Sequence, residues 1–211
     1  MSQSYREFYR RHLPHYQPAG TPLFITFRLA GSLPQAVLDE FLHERKALER
    51  AFSSIPDVVA QQCKRCDEEW RVFQRWEGAL DQANYGPHWL ENFRVASAVA
   101  EALHYRHNRV YDLLTFCIMP NHVHLLCTPF EQPTGMPYPL AKILQSLKSF
   151  TARQANDILD REGPFWNSES YDHAVRNDDE LERTVAYIVN NPVKAGLVED
   201  WQAWPWTYLK A

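Results

Sequence analysis

Two histidines separated by one apolar residue are the clearest candidates for chemistry in this chain. His122 and His124 flank Val123 in a run that is otherwise typical of a buried strand. Because successive side chains of a β-strand point to opposite faces, both imidazoles would project from one face and Val123 from the other. Two neutral imidazoles placed side by side can bind one divalent cation. The alternative is a pair of edge histidines that hydrogen-bond to backbone or water.

A second candidate lies on a helix predicted near the C-terminus. Asn177 followed by Glu180 is a helix N-terminus signature, and Pro192 should end the helix near Asn190. The apolar residues of this segment form a stripe at positions i, i+4 and i+7: Leu181, Val185 and Ile188.

Tyr187 lies off that stripe. At about 100° per residue its side chain should point roughly 120° away from the centre of the stripe, with Asn191 on the same flank one turn later. A tyrosine placed only for packing would more naturally lie on the stripe. The alternative is a half-buried tyrosine whose hydroxyl reaches water.

Together these residue types could act on a phosphodiester. A divalent cation held by two histidines and one carboxamide or carboxylate is a Lewis acid with open positions for a phosphate. A tyrosine hydroxyl beside it could attack the phosphorus, although its pKa near 10 requires a cation or a base to favour the phenolate. The products would be a covalent phosphotyrosine and a free hydroxyl, and the reverse attack could rejoin strands without ATP.

The surrounding sequence predicts mixed helices and strands. We expect a strand at 23–29, a helix that starts near Leu33-Pro34, and a charged helical insertion over about 53–88. Further predicted elements are a helix from about 90 to 107, a β-hairpin over 110–128, a helix with an apolar stripe over 140–150, and an extended segment at 171–176.

Basic residues that could contact phosphates occur in three places. Residues 1–20 form a short basic arm, which is either a surface-docked terminus or a contact to DNA. On the helix after the hairpin, the basic side chains form either an ordinary solvated face or a phosphate-binding patch. The third place is the extended segment at 171–176, which ends at Arg176. The candidates for DNA binding are Arg6, Arg10, Arg11, Lys142, Lys148, Arg153 and Arg176.

Composition sets broader limits. With 211 residues, 45% of them hydrophobic, we expect one domain at 21–211 that carries the insertion and follows the arm. The net charge of −4 means that any nucleic-acid surface must be a local patch. An apolar leader and a membrane-length apolar stretch are both missing, which predicts a cytoplasmic location. Cys63 and Cys66 have the spacing of half a zinc site, but the sequence offers no second pair.

Two motifs in this order resemble a known family. Met119-Pro120-Asn121-His122-Val123-His124-Leu125-Leu126, followed by Tyr187-Ile188-Val189-Asn190-Asn191-Pro192-Val193-Lys194-Ala195-Gly196-Leu197-Val198, is similar to the single-tyrosine HUH transposases, and among them to the REP-associated tyrosine transposases. The resemblance extends from the first strand through Trp204-Pro205-Trp206. It implies an α+β fold with a ferredoxin-like (RRM-like) antiparallel sheet covered by helices.

The resemblance also implies roles for individual residues. His122, His124 and Asn191 would bind Mg²⁺ or Mn²⁺, and Tyr187 would form a 5′-phosphotyrosine on single-stranded DNA beside imperfect-palindrome hairpins. The chain would then be a transposase that cleaves and rejoins DNA near REP-like hairpins. The self-contained order of the motifs slightly favours a monomer over a homodimer. Tyr171, close in sequence to His173 and Arg176, is a rival nucleophile.

Other functions fit parts of the pattern. A non-catalytic hairpin-binding or regulatory protein derived from a transposase would keep the fold without the reaction. A relative that acts in plasmid or phage replication would usually carry a helicase or another domain. A small metal hydrolase of another kind gives no reason for Tyr187 and Asn191 to occur together.

The C-terminal aromatics are expected to dock the tail rather than to stack on bases: Trp201, Trp204, Trp206 and Tyr208.

Overall fold

The computed structural model describes residues 8–10, 14–53, 68, 71–75, 77–81 and 85–211. The chain divides into two compact units, which we call the main unit, Met1–Ala30 with His88–Ala211, and the second unit, Gly31–Pro87. The predicted zinc half-site at Cys63 and Cys66 and the arm residues Arg6 and Arg11 lie outside the described residues.

The main unit contains a five-stranded antiparallel sheet. Its strands are β3 (Leu23–Leu29), β4 (Tyr111–Ile118), β5 (His122–Pro129), β6 (Trp166–Ala174) and β7 (Thr207–Leu209), in the spatial order β6-β3-β5-β4-β7. Two short strands near the N-terminus, β1 (Phe8–Arg10) and β2 (Pro14–Tyr16), pair with each other. Four helices belong to this unit: α2 (Phe93–Arg106), α3 (Leu140–Ile158), α4 (Asp178–Val189) and α5 (Asn191–Lys194).

The order of these elements confirms the ferredoxin-like prediction. The chain runs β3-α2-β4-β5-α3-β6, and the two connections through α2 and α3 each skip one strand, which places β3 and β5 at the centre. All neighbouring strands are antiparallel. The C-terminal strand β7 extends the sheet beyond β4.

The sheet buries both of its faces, and they differ in chemistry. One face carries the hydrophobic core beneath α2 and α3, including Ile25, Phe27, Val123, Leu125, Leu103 and Leu147. The opposite face of the central strands carries Phe24, Thr26, His122 and His124, all buried. Helix α4 packs against β4, β5 and β7. The alternation of the strand therefore separates the candidate ligands from the core, as predicted.

The C-terminal aromatics dock the tail, as expected. The Trp204 indole Nε1 donates a hydrogen bond to the backbone oxygen of Ile118 at 2.9 Å. The Tyr208 ring stacks on Phe116 with centroids 5.6 Å apart, and the Trp206 ring contacts Phe93 at 4.9 Å. These contacts anchor β7 to the sheet edge.

The second unit is helical in its described parts. It contains α1 (Gln35–Ser53) and helical residues at 71–75 and 77–81, so this compact unit begins before the predicted insertion at 53–88 and includes α1. Arg75 and Glu44 form an exposed ion pair at 3.1 Å. Across the described residues of the chain, none of the helices combines the length and apolar character needed to cross a bilayer.

A buried polar cluster attaches the start of α4 to the end of β6. The Glu180 carboxylate accepts from the Arg176 backbone N–H at 2.7 Å and from its guanidinium at 2.9 and 3.1 Å, and it lies 3.0 Å from His173 Nε2. Burial alone would raise the pKa of Glu180, but the hydrogen bonds from His173 and Arg176 outweigh it and hold the pKa well below its ordinary value. Asn177 caps the helix by accepting from the Glu180 N–H.

We expect Glu180→Gln to lower the free energy of unfolding by about 2 kcal/mol at neutral pH, because the charge-assisted bonds to Arg176 and His173 are weakened. The folded-state pKa of Glu180 is depressed, so its stabilisation is complete above the ordinary glutamate pKa of about 4.3 and is lost as the pH falls below it. The variant should therefore lose stability less steeply in acid. Urea denaturation across this pH range measures both effects.

The matched control is Glu182→Gln, which changes an exposed carboxylate on the same helix. It should leave the unfolding free energy nearly unchanged. Equal losses in the two variants would show that the cluster does not stabilise the attachment of α4.

Candidate metal and nucleophile site

The two histidines of β5 face each other in a buried position. The side chains of His122 and His124 are fully inaccessible to solvent, and their Nε2 atoms lie 2.9 Å apart. The Phe24 ring on β3 stacks on His124 with centroids 5.7 Å apart and restricts its orientation. Two Nε2 atoms at this separation can bind the same cation.

The other ring nitrogen of each histidine contacts a neighbouring side chain. His122 Nδ1 lies 2.6 Å from the side-chain oxygen of Asn121, which only accepts, so Nδ1 carries the proton and Nε2 keeps its lone pair. His124 Nδ1 lies 2.9 Å from the Thr26 hydroxyl, which can accept in the same way. With both Nδ1 atoms protonated, the two Nε2 lone pairs converge on one point. Such outer contacts orient metal-binding histidines in proteins.

The electrostatics of the site favour a neutral imidazole at His124. Burial lowers the pKa of His124 well below its ordinary value, and the nearby His122 and Lys194 lower it further. Arg28, directly opposite His122 on β3, is also buried, and desolvation lowers its pKa to about 10. Arg28 therefore keeps its positive charge at neutral pH. The site combines neutral ligands with fixed positive charge, which suits an anionic ligand such as a phosphate.

Helix α4 and the short helix α5 bring Tyr187 and Asn191 to the histidines. Asn191 is fully buried and its Nδ2 lies 3.2 Å from His124 Nε2. Its Oδ1 has no hydrogen-bond partner among the described residues. A buried amide oxygen of this kind fits a metal ligand, because a 180° turn of the amide exchanges the nitrogen facing His124 for the oxygen. The Tyr187 ring contacts His124 with centroids 5.8 Å apart.

The helix is rotated relative to the predicted stripe. Ile188 is buried as expected, but Leu181 and Val185 are only half-buried, whereas Glu180 and Thr184 are buried. A search for apolar residues overlooks Glu180 and Thr184 because both are polar. Their polar atoms are nevertheless buried, since they form hydrogen bonds within the fold. Because Tyr187 is three residues from Thr184, it lies beside the buried face, whereas the apolar stripe had predicted that it would point roughly 120° away.

Tyr171 occupies a different position. It lies on β6 opposite Thr26, is buried, and its ring contacts Phe24 at 6.2 Å. The Tyr187 ring also contacts Phe24, at 6.0 Å. Tyr171 and Tyr187 thus flank one phenylalanine, and Tyr187 is the one whose ring contact with His124 is described.

The residues predicted to bind DNA are not gathered at the histidines. Lys142 and Arg153 are exposed on α3, which covers the opposite face of the sheet. The Lys148 ammonium donates to the Asn167 carbonyl at 3.0 Å and to the Ser170 hydroxyl at 2.7 Å. Arg176 binds Glu180 as described above, and Arg10 lies in β1 with a side chain outside the described atoms. Their roles in DNA binding stay predictions.

Sequence reasoning did not predict several residues near the site as participants, among them Thr26, Arg28, Asn121 and Lys194. Asn121 directly precedes His122, so its side-chain oxygen could have been predicted to accept a hydrogen bond from the His122 ring. Thr26 is 98 positions from His124, and only the pairing of β3 with β5 brings the two together. Lys194 follows Asn191 by three residues, a spacing that places both on one side of a helix.

Comparison with known proteins agrees with this geometry. The family model described as "Transposase IS200 like" matches residues 89–191, which include both histidines, Tyr187 and Asn191. The matched segment begins at a 3-10 helix, Trp89–Glu91, that precedes α2, and it ends at the candidate third ligand.

One curated relative and one solved structure are also similar to this chain. A Haemophilus influenzae protein described as a REP-associated tyrosine transposase is 29% identical over 102 residues, which are 46% of this chain and 58% of that protein. The predicted resemblance to REP-associated tyrosine transposases is thereby confirmed. A solved structure of a REP-associated tyrosine transposase bound to a REP hairpin aligns with 98% of this chain and 82% of its own, at 18% identity and a TM-score of 0.49.

The outer contacts of the histidines can be tested through metal affinity. We expect His124→Ala to abolish Mn²⁺ binding and Thr26→Val to weaken it by about 10- to 100-fold, because the valine no longer orients the imidazole. Isothermal titration of the apo protein with MnCl₂ measures both.

Thr151→Val is the matched control, since it removes a buried hydroxyl that donates to Leu147 on the other side of the sheet. It should leave Mn²⁺ affinity unchanged. If Thr26→Val bound Mn²⁺ as tightly as the unmodified protein, the contact would have no part in metal binding.

Proposed function

We propose that the chain is a metal-dependent transposase that cleaves and rejoins single-stranded DNA next to imperfect-palindrome hairpins. The observation that carries this proposal is the convergence of three groups: two neutral imidazoles with facing Nε2 atoms, a buried carboxamide at 3.2 Å, and a tyrosine ring against the same histidine. An ordinary structural histidine pair gives no reason for the other two groups. The match of residues 89–191 to the IS200-like transposases supports the same reading.

His122, His124 and Asn191 would hold the cation, which we propose to be Mg²⁺ or Mn²⁺. These ions suit a site that also takes up phosphate oxygens. When bound, such an ion would stabilise the negative charge on the non-bridging oxygens of the phosphate. The buried rings and their outer partners would keep the ligands in place, so little rearrangement is needed on binding.

Tyr187 is the proposed nucleophile. Its oxygen forms a bond to the scissile phosphorus while the bond from that phosphorus to the 3′ oxygen breaks, and the phenolic proton is transferred overall to that 3′ oxygen. This leaves a free 3′ hydroxyl and a 5′-phosphotyrosine. Attack on this linkage by the 3′ hydroxyl of another strand reverses the step and releases Tyr187. The helix positions the tyrosine through its contacts with Phe24 and His124.

The DNA partner follows from the same chemistry. A linked strand and a free end must both reach one buried centre, which an unpaired strand does more easily than a duplex. An adjacent hairpin would supply shape and a few exposed bases for selection. A hairpin-binding protein without catalysis would keep the same fold, and the adduct assay below separates it from a transposase.

We predict that Tyr187→Phe abolishes a covalent protein–DNA adduct that the unmodified protein forms with Mn²⁺ or Mg²⁺ and not with EDTA. Removal of the hydroxyl takes away the attacking oxygen but keeps the ring contacts. The assay incubates labelled single-stranded oligonucleotides, carrying hairpins from the gene's own neighbourhood, with each protein and resolves the products on a denaturing gel.

Tyr171→Phe is the paired variant, because it removes the same atom from the other tyrosine beside Phe24. It should keep the adduct. Loss of the adduct only in Tyr171→Phe would move the nucleophile to β6. Tight hairpin binding without an adduct under any metal would favour the non-catalytic candidate.

A further inference from the structure

Lys194 lies at the site although neither the metal ligands nor the nucleophile require it. Its ammonium is 5.4 Å from the centre of the Tyr187 ring, within the range of a cation–π contact. Lys194 is exposed, whereas His124 and Asn191 are buried. The ammonium is therefore a solvent-accessible positive charge beside the tyrosine.

The backbone explains this placement. Helix α4 ends at Val189, and α5 carries Asn191 and Lys194 three residues apart, so that both lie on one side. Asn191 and Pro192 are buried, and the Lys194 N–H donates to the Asn190 carbonyl at 2.9 Å. The chain then turns at Gly196, whose φ of +71° favours glycine. The base of the lysine is thus fixed, and its four-carbon stem stays adjustable.

The same charge also lies near the candidate ligands. The Tyr187 ring, whose centre is 5.4 Å from the Lys194 ammonium, contacts the His124 ring with centroids 5.8 Å apart. The ammonium is thus near both the candidate nucleophile and a candidate ligand. The other candidate phosphate contacts lie elsewhere: Lys148 binds the backbone of β6, and Lys142 and Arg153 lie on α3.

We propose that the Lys194 ammonium binds a non-bridging oxygen of the scissile phosphate while Tyr187 attacks the phosphorus. This inference rests on the proposed function, because it assigns a further catalytic residue to the same reaction. Because the ammonium is exposed and lies 5.4 Å from the centre of the Tyr187 ring, a phosphate bound at the tyrosine would be within range of its charge. Such a contact gains strength as charge develops on the phosphate oxygens, so it accelerates the reaction more than it tightens binding.

The test compares three full-length variants in single-turnover adduct formation with Mn²⁺. Lys194→Gln removes the charge, Lys194→Arg keeps it, and Lys210→Gln is a matched control that removes a lysine charge paired with Asp112 on β4. Each protein is given the hairpin oligonucleotide with the scissile phosphate either unmodified or replaced by a methylphosphonate, which lacks one charged oxygen. Hairpin affinity is measured separately in a Tyr187→Phe background.

With the unmodified phosphate we expect Lys194→Gln to form the adduct about 100-fold more slowly, as when one transition-state contact is lost. Lys194→Arg should recover most of the rate, and Lys210→Gln should match the unmodified protein. Hairpin affinity should change little. With the methylphosphonate, the difference between the unmodified protein and Lys194→Gln should largely disappear, which a merely structural role would not produce.

Several outcomes would overturn the inference. Equal rates for the unmodified protein and Lys194→Gln on the unmodified phosphate would remove Lys194 from the reaction while leaving the proposed function intact. An equally large defect on both substrates, or an arginine variant as slow as the glutamine variant, would show a structural role. If the unmodified protein formed no adduct with any metal, the proposed function and this inference would both fail.

Discussion

The site depends on keeping two imidazole rings buried, neutral and directed at one another. A buried polar group without a partner is costly, and a buried positive charge is more so. Asn121 and Thr26 contact the outer nitrogens of His122 and His124, and the inner nitrogens lie 2.9 Å apart. The pairing of β3 with β5 is therefore part of the site. A slip of one residue in this register would turn Thr26 and the histidines toward opposite faces.

The position of the proposed nucleophile, Tyr187, depends on a polar attachment. An apolar stripe alone fixes the rotation of a helix only loosely, because neighbouring apolar residues can exchange places in the core. Glu180 makes directional bonds to Arg176 and contacts His173, and it lies two turns before Tyr187 on α4. Directional bonds at the start of α4 fix the rotation of the helix about its axis. This rotation in turn sets the positions of Tyr187 and Asn191. The cluster thus links the stability of the fold to the geometry of the site.

The local elements could be predicted from the sequence because their signals are local. Strand 23–29 shows β-branched and aromatic residues between turn signals, and the hairpin that carries the histidines turns where predicted, between Ile118 and His122. The ferredoxin-like order and the resemblance to the transposase family were also predicted correctly.

What could not be predicted comes from pairings distant in sequence. Thr26 contacts His124 only because β3 pairs with β5. The Lys148 ammonium is held beside β6, where four consecutive residues of that strand, 167–170, accept hydrogen bonds from it. The rotation of α4 was misjudged for the same reason. A search for apolar periodicity cannot anticipate that Glu180 is buried with partners from a neighbouring strand.

Charge distribution reconciles the acidic composition with the proposed DNA substrate. The net charge of −4 governs the field far from the protein, where salt screens it within about 10 Å. Charges close to the proposed reaction centre matter more: the Arg28 guanidinium is buried on the strand that pairs with the histidine strand, and the Lys194 ammonium lies 5.4 Å from the centre of the Tyr187 ring. An acidic chain can therefore carry positive groups at the place where a phosphate is proposed to bind.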